Sequence, residues 1–476
     1  MATLVRDIAP PPPVRPIPGP TQLDAWPHTS RPMPWLIAVF MVMVYLIPFD
    51  RTVLPISLPF NAGLDRLVLV AIALVWIVIL LTSDRQPRFK HAPINAAMWL
   101  FVALSALSLV LNLRDLTWDK ELTVSFKQLL LTFTYLFFFV VAVTSITRED
   151  LPGFCKLLVL LGTVSAVGTI IEYRSHINLF ADLAKLIPAA KVHVRQLRAH
   201  ISATTRVTYG GPTKHGLADA TMLDAAVPIA AVFMLRARET WHRVRWGAAL
   251  IILMAGCVAT EEKTALILLF VSIAAIVAYH PRRYKNWWPL LIVAVVLIRI
   301  AAPHSISAVI YQFKDITRSN STAGRTTDYP AVAPFLNTHL LFGRGFGSYE
   351  PHKYRILDDQ MLGFLIEIGA FGLLAYTALM LTPFAMCLRR GLRGLTLEDD
   401  LLAAISTGFL AFFVSNFLYD SFSFRQGPYV FFFLAALVTA ATGTVRPFSG
   451  AAAPSTIVLP EPPGGAGPGP PTVADA

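Results

Sequence analysis

The sequence predicts an all-α polytopic membrane protein of about twelve transmembrane helices, and three observations carry that expectation. Hydrophobic residues make up 55% of the chain and charged residues only 14%, with a mean hydropathy of +0.59. Ordinary soluble domains carry about 25% charged residues. The apolar residues come in blocks rather than amphipathic stripes. Each block is near the ~20 residues a helix needs to cross a hydrocarbon layer of ~30 Å. Finally, Lys and Arg crowd alternate short loops, as cytoplasmic loops do.

Taken in order, residues 1–33 are rich in Pro and Ala and read as a disordered cytoplasmic tail. Ala9 to Pro20 is Pro-rich and the first apolar block starts near Trp35, so no cleavable signal peptide is expected. A transmembrane domain is expected over 34–446, with spans near 34–49, 67–82, 95–112, 128–146, 154–172, 217–235, 247–260, 264–279, 288–302, 361–385, 401–418 and 428–445. Residues 447–476 form a second disordered tail. Cys155, Cys257 and Cys387 lie in or beside apolar blocks and build no disulfide framework or metal spacing.

The loops holding Arg85, Arg88 and Lys90, then Arg236 to Arg245, Arg282 to Lys285, and Arg389 to Arg393 are assigned to the cytoplasm. An even number of spans then places both tails on the cytoplasmic side. Two long outer loops remain, 173–216 and 303–359. Both are cationic, the first through Arg174, Lys185, Lys191, Arg195, Arg198, Arg206 and Lys214, the second through Lys314, Arg318, Arg325, Arg344, Lys353 and Arg355. Such a field attracts phosphate; anionic lipid headgroups explain it equally well. Within 178–201, leucines and isoleucines at helical spacing on either side of Pro188 predict two short interfacial helices. Glu261-Glu262-Lys263 is expected to form a tight outer turn.

There is no G-x-x-x-x-G-K-[ST] loop for ATP and no H-E-x-x-H or comparable metal spacing. No cofactor, metal or nucleic-acid partner is expected. Gly343-Arg344-Gly345-Phe346-Gly347 lacks a dinucleotide setting, so its glycines mean a tight turn or backbone lying close to a ligand.

The stretch from Gly324 to Gly372 is the most specific in the chain. It runs from Arg325 through the Gly343/Gly345 turn to Asp358-Asp359-Gln360, then Glu367, Gly369 and Gly372. In this order it resembles the O-antigen ligase and O-antigen polymerase superfamily, whose members carry an Arg late in a large periplasmic loop, a Gly turn, and a [HD]-N start to the next helix. Arg206-Val-Thr-Tyr-Gly-Gly-Pro-Thr-Lys-His-Gly loosely resembles the family's other outer-loop Arg stretch. Two positions depart from the pattern: Asp359 stands where Asn is usual, and His339 occupies the proline position of the turn.

The resemblance implies a metal-independent, inverting glycosyl transfer from a polyprenyl-diphosphate-linked oligosaccharide to an acceptor hydroxyl, outside the inner membrane. Membrane lipid and other polysaccharide-assembly proteins are the further partners it implies. Arg206, Arg325 and Arg344 are the candidate diphosphate ligands, since guanidinium pairs phosphate oxygens in a fork and keeps its charge. Asp358, Asp359 and Glu367 are the candidate bases. For the aspartates the competing reading is a helix start, where carboxylates offset the positive dipole end. For Glu367 it is a structural ion pair inside a span, and Asp224 and Arg299 raise the same question. Asp358 in place of His favours a polymerase over a ligase that attaches finished glycan. A lipid-linked oligosaccharide flippase or a non-catalytic assembly scaffold would be the alternatives outside this chemistry. No internal repeat of the transporter kind is visible.

Overall fold

The computed structural model describes residues 32–49, 52–53, 63–82, 90–185, 191–192, 209–279, 281, 296 and 320–445. The helices follow in the order α1 (Pro32–Leu46), α2 (Leu64–Thr82), α3 (Pro93–Leu111), α4 (Leu113–Trp118), α5 (Leu122–Ser145), α6 (Leu151–Ser175), α7 (Leu179–Ala184), α8 (Gly216–Arg236), α9 (Thr240–Ala259), α10 (Lys263–Tyr279), α11 (Asn320–His339), α12 (Gln360–Gly391), α13 (Leu397–Ser415) and α14 (Gln426–Thr442). Among the described residues, seven are long and apolar enough to cross a membrane: α2, α3, α5, α6 with the turn before it, α8, α9 and α12. The apolar helices α1, α10 and α14 are shorter. The all-helical membrane class is therefore present. The expected span at 288–302, both tails and the second half of 178–201 lie outside the described residues.

Helix boundaries exceed the apolar blocks where polar residues join a helix. α5 begins at Leu122 because Thr123, Ser125 and Lys127 continue its first turns. α9 begins at Thr240 because the run Trp241-His-Arg-Val-Arg-Trp is helical despite its charge. The expected outer loop 303–359 also contains a whole helix, α11, that carries Arg325.

The helices sort by depth in the bundle. α8 is the hub, packed on α6, α9, α10 and α13 and almost wholly buried. α2 is peripheral, with Val70, Leu74, Val78 and Leu81 turned outward as lipid-facing residues would be. Lipid tails are as apolar as leucine, so helices inside a membrane associate through close van der Waals packing. The contact of α6 with α9 shows this: a Cβ added at Gly256 would come within 2.5 Å of the Ala166 Cβ. Tyr135, Phe138, Phe432 and Tyr429 fill the interior between α5 and α14.

Side-chain contacts sort the loops into two ends, and the sorting follows the charge pattern. At one end, β2 (Lys90–His91) pairs antiparallel with β4 (Thr444–Val445), Arg148 meets Glu398 at 2.6 Å, and Arg236 meets Asp400 at 2.6 Å. At the other, β1 (Thr52–Val53) pairs with β3 (Lys191–Val192), and Asp65 meets Arg425 at 3.3 Å. The described parts of the short basic loops thus share one end, and the described parts of the two long cationic loops share the opposite end.

Candidate functional site

The candidate site is organised by a break in α12. The helix is interrupted at Gly369, whose φ of 69° and ψ of −172° are not helical. A broken helix frees carbonyls on one side and N–H groups on the other, which membrane interiors do not tolerate unpaired. The segment from Leu340 to Tyr349 pairs both sets. Arg344 N donates to Ile366 O at 2.9 Å and Gly345 N to Glu367 O at 3.0 Å. Ala370 N donates to Leu340 O at 2.8 Å and Phe371 N to Leu341 O at 3.3 Å. Asn112 at the end of α3 donates to Gly343 O at 2.9 Å, and Ser108 to Glu367 O at 2.7 Å.

Glu367 lies two turns into α12, as its place in the apolar block implies, at the last turn before the break, and its carboxylate faces the loop. Tyr349 N donates to its Oε1 at 3.2 Å, and the Gly347 backbone also hydrogen-bonds it. The Gly turn is therefore wrapped around backbone and carboxylate of α12, and its glycines serve a close approach of two chain segments.

Arg344 is held just outside this turn and is 8% exposed. Its Nη2 donates to Glu121 at 2.7 Å and to the Tyr354 hydroxyl at 2.7 Å. Its guanidinium lies over the rings of Phe335 and Tyr354, at 5.1 and 4.5 Å from their centroids. Lys353 and the Tyr354 hydroxyl both donate to the other oxygen of Glu121. The buried Glu121 thus ties the start of α5 to the loop before α12 and faces the Arg344 charge. Arg344 Nη1 is buried without a hydrogen-bond partner among the described residues.

At the mouth of α12 the two aspartates separate by environment. Asp359 is the N-cap, accepting from Met361 N at 2.9 Å and Leu362 N at 3.1 Å. Asp358 is exposed and makes no such contact. Beside it lies Asp420, on the loop between α13 and α14, with the Ser423 hydroxyl donating to it. Burial pushes the Asp420 carboxyl up to about 6, Ser423 pulls it down, and the nearby Asp358 charge raises it further. This 416–425 loop is stitched to α12, because Gln360 N donates to Asn416 O and Phe422 N to the Gln360 side chain, both at 2.8 Å.

The same loop also reaches the second basic stretch. Gln426 donates to Pro212 O at 3.2 Å, Tyr419 and Thr221 share a hydroxyl contact at 2.8 Å, and Phe424 packs on His215. Glu172 accepts from Gly211 N at 2.9 Å, and His215 caps α8. Tyr209 N meets Thr260 O at 3.4 Å, beside the tight turn expected at 261–263, where Glu261 is left-handed. Glu262 approaches His215 at 3.5 Å. The two motif-bearing stretches therefore converge at one end of the bundle, with 416–425 between them.

Of the expected site residues, Gly343, Gly345, Arg344, Glu367, Asp358 and Asp359 gather around α12 and the Gly turn. Arg325 lies in the first two turns of α11, which docks on the start of α12 through Val332 and through Asp328, paired with Arg355 at 2.6 Å. Arg206 lies outside the described residues. Asp224 is buried in α8 and accepts from Ser272 at 2.6 Å; Arg299 also lies outside the described residues. Sequence reasoning missed Asp420 and Glu121. Neither sits in a motif; the only signal was an acid beside an otherwise apolar block. Among the described residues, no three His, Cys, Asp or Glu side chains gather to hold a metal ion.

Residues 248–377 match the model of the O-antigen ligase family. The match bears out the resemblance read from Gly324 to Gly372 and extends it back through α10 into α9. No curated protein matches the chain.

Proposed function

We propose, from the premise that residues 248–377 carry an O-antigen ligase-type segment, that this protein is a polysaccharide polymerase. It transfers glycan from a polyprenyl diphosphate to a sugar hydroxyl on the outer side of the inner membrane. The observation that carries the reading is the convergence of the two cationic, motif-bearing stretches on one end, around the exposed Asp358 and the more buried Asp420.

The chemistry follows from those groups. Asp358, with Asp420 beside it, takes the proton of the acceptor hydroxyl. That oxygen bonds to the anomeric carbon from the face opposite the diphosphate, the bond from carbon to phosphate oxygen breaks, and the anomeric configuration inverts. The products are the lengthened glycan and polyprenyl diphosphate. Negative charge grows on the leaving diphosphate, and Arg206 and Arg325 meet it. An interaction that strengthens as charge develops lowers the barrier rather than only tightening binding. Arg344 contributes through Nη1, the nitrogen that Glu121 and Tyr354 leave open. Asp359 and Glu367 hold the scaffold, the one by capping α12 and the other by fixing the Gly turn.

The test is chain growth by purified protein supplied with lipid-linked repeat units. Lengthened glycan, lost in Arg325→Ala and Asp358→Asn, supports the polymerase. Transfer of whole chains to a different acceptor, without lengthening, identifies a ligase. Movement of the lipid across vesicles without any new glycosidic bond identifies a flippase.

A further inference from the structure

A second feature lies at the opposite end of the bundle, among the short basic loops. There α6 and α9 splay apart and leave a cavity of about 980 Å³ floored by Phe233 of α8. Its deep walls are apolar, with Val159, Leu160 and Ile252 among the lining residues. Leu160 is exposed, as is Val244 at the rim, so the cavity opens sideways where lipid would lie. Its mouth is cationic and aromatic. Arg238 and Arg245 line it, and among the described residues neither makes an ion pair; Arg245 lies 5.1 Å over the Trp246 ring. Trp241 stands exposed beside them. Lys156 lines the cavity as well. Arg236 binds Asp400 at 2.6 Å, and Glu239 meets His242 at 3.3 Å.

We infer that this groove is a binding site for one anionic phospholipid of the leaflet at the basic-loop end, its phosphate held by Arg238 and Arg245 and an acyl chain laid between α6 and α9. Three features select that occupant. The volume is that of a ligand-sized site. The apolar floor continuous with the lipid-facing surface requires a hydrocarbon tail rather than a soluble anion. Basic pockets between membrane helices, with interfacial tryptophans at headgroup level, complement anionic headgroups. The groove lies at the far end from Asp358 and Arg344, so it is no part of the glycan-transfer site and stands whether or not that transfer reading holds.

Native mass spectrometry of the purified full-length protein tests it, with phosphatidylglycerol and phosphatidylcholine titrated separately. The wild type should retain one phosphatidylglycerol at least tenfold more strongly than phosphatidylcholine. The double variant Arg238→Gln/Arg245→Gln should abolish that preference, and Ala249→Trp, which fills the groove without touching charge, should lose the lipid altogether. Thermal unfolding in detergent checks that each variant is folded. Equal retention of the two lipids, unchanged binding in both variants, or displacement of the lipid by glycerol phosphate at equal concentration would overturn the assignment; the last would leave only a free-phosphate site.

Discussion

Gly343 and Gly369 touch backbone to backbone. A Cβ on Gly343 would lie 2.3 Å from the Glu367 carbonyl, and one on Gly369 would lie 2.4 Å from that of Leu341. Both residues have positive φ, 71° and 69°. The contact couples a loop glycine and a helix glycine 26 residues apart: each supplies the space the other needs.

Gly369→Ala should therefore destabilise the protein by at least about 1–3 kcal/mol from backbone strain alone, before any clash is counted. Gly343→Ala should do the same. Gly363→Ala is the control, since its Cβ would meet nothing within 4 Å and its backbone is helical; it should be neutral or stabilising by up to about 1 kcal/mol. Thermal unfolding in detergent distinguishes the three. A Gly369→Ala protein as stable as Gly363→Ala would contradict the close approach.

Among the described residues, Glu121 is the carboxylate that both Arg344 and Lys353 approach, at 2.7 and 2.6 Å. Glu121→Gln should cost about 3–5 kcal/mol, because it strands a buried guanidinium without its counter-charge. Lys353→Ala should cost far less, since its ammonium is exposed and solvent screens the pair. Arg344→Lys should not restore stability lost in Arg344→Ala, because an ammonium cannot reproduce the flat contact of the guanidinium with the Phe335 and Tyr354 rings. Melting curves of the four variants measure this ordering.

The helices were legible in the sequence because membrane spans announce themselves by length and apolarity alone. α10 and α14 fall almost where the apolar blocks do. The break in α12 was not legible, since Leu-Ile-Glu-Ile-Gly-Ala-Phe-Gly reads as one apolar stretch and only a partner loop 26 residues upstream makes the interruption affordable. Asp420 escaped for a related reason. A carboxylate becomes notable through its neighbours, and its neighbour Asp358 is 62 residues away in the chain. The loop motifs were legible because their glycines and charged side chains gather at one end of the bundle, where the Gly343 turn meets α12.

Asp358 and Asp359, adjacent in sequence, should give opposite phenotypes. Asp359→Ala removes the cap of α12 and should lower stability by about 0.5–2 kcal/mol, with Asp359→Asn close to wild type. Chain growth should survive Asp359→Asn. Asp358→Asn should leave the melting temperature unchanged and reduce chain growth at least 100-fold, the lower bound expected for loss of a general base. Measuring both quantities on both variants separates a helix cap from a base; equal activity in the two asparagine variants would remove Asp358 from its proposed role.

The carboxylate pair also fixes the sign of the pH response. Asp420 is raised to about 6, first by burial, then by the Asp358 charge. The folded protein holds this proton over a range where the unfolded chain, near the ordinary 3.8, has lost it. Between about pH 4 and 6 the native state thus binds more protons, so this group's contribution to stability falls as pH rises, and the loss is complete above the folded value. Catalysis should run the other way, because the pair works as a base: chain growth should rise through about pH 6 and level off. Asp358→Asn would remove the charge that raises Asp420, so the residual activity of that variant should titrate at lower pH. Rate profiles of the wild type and of Asp358→Asn, collected from pH 4.5 to 8, test the coupling. An acidic limb at the same pH in the two proteins would mean that the Asp358 charge does not raise Asp420.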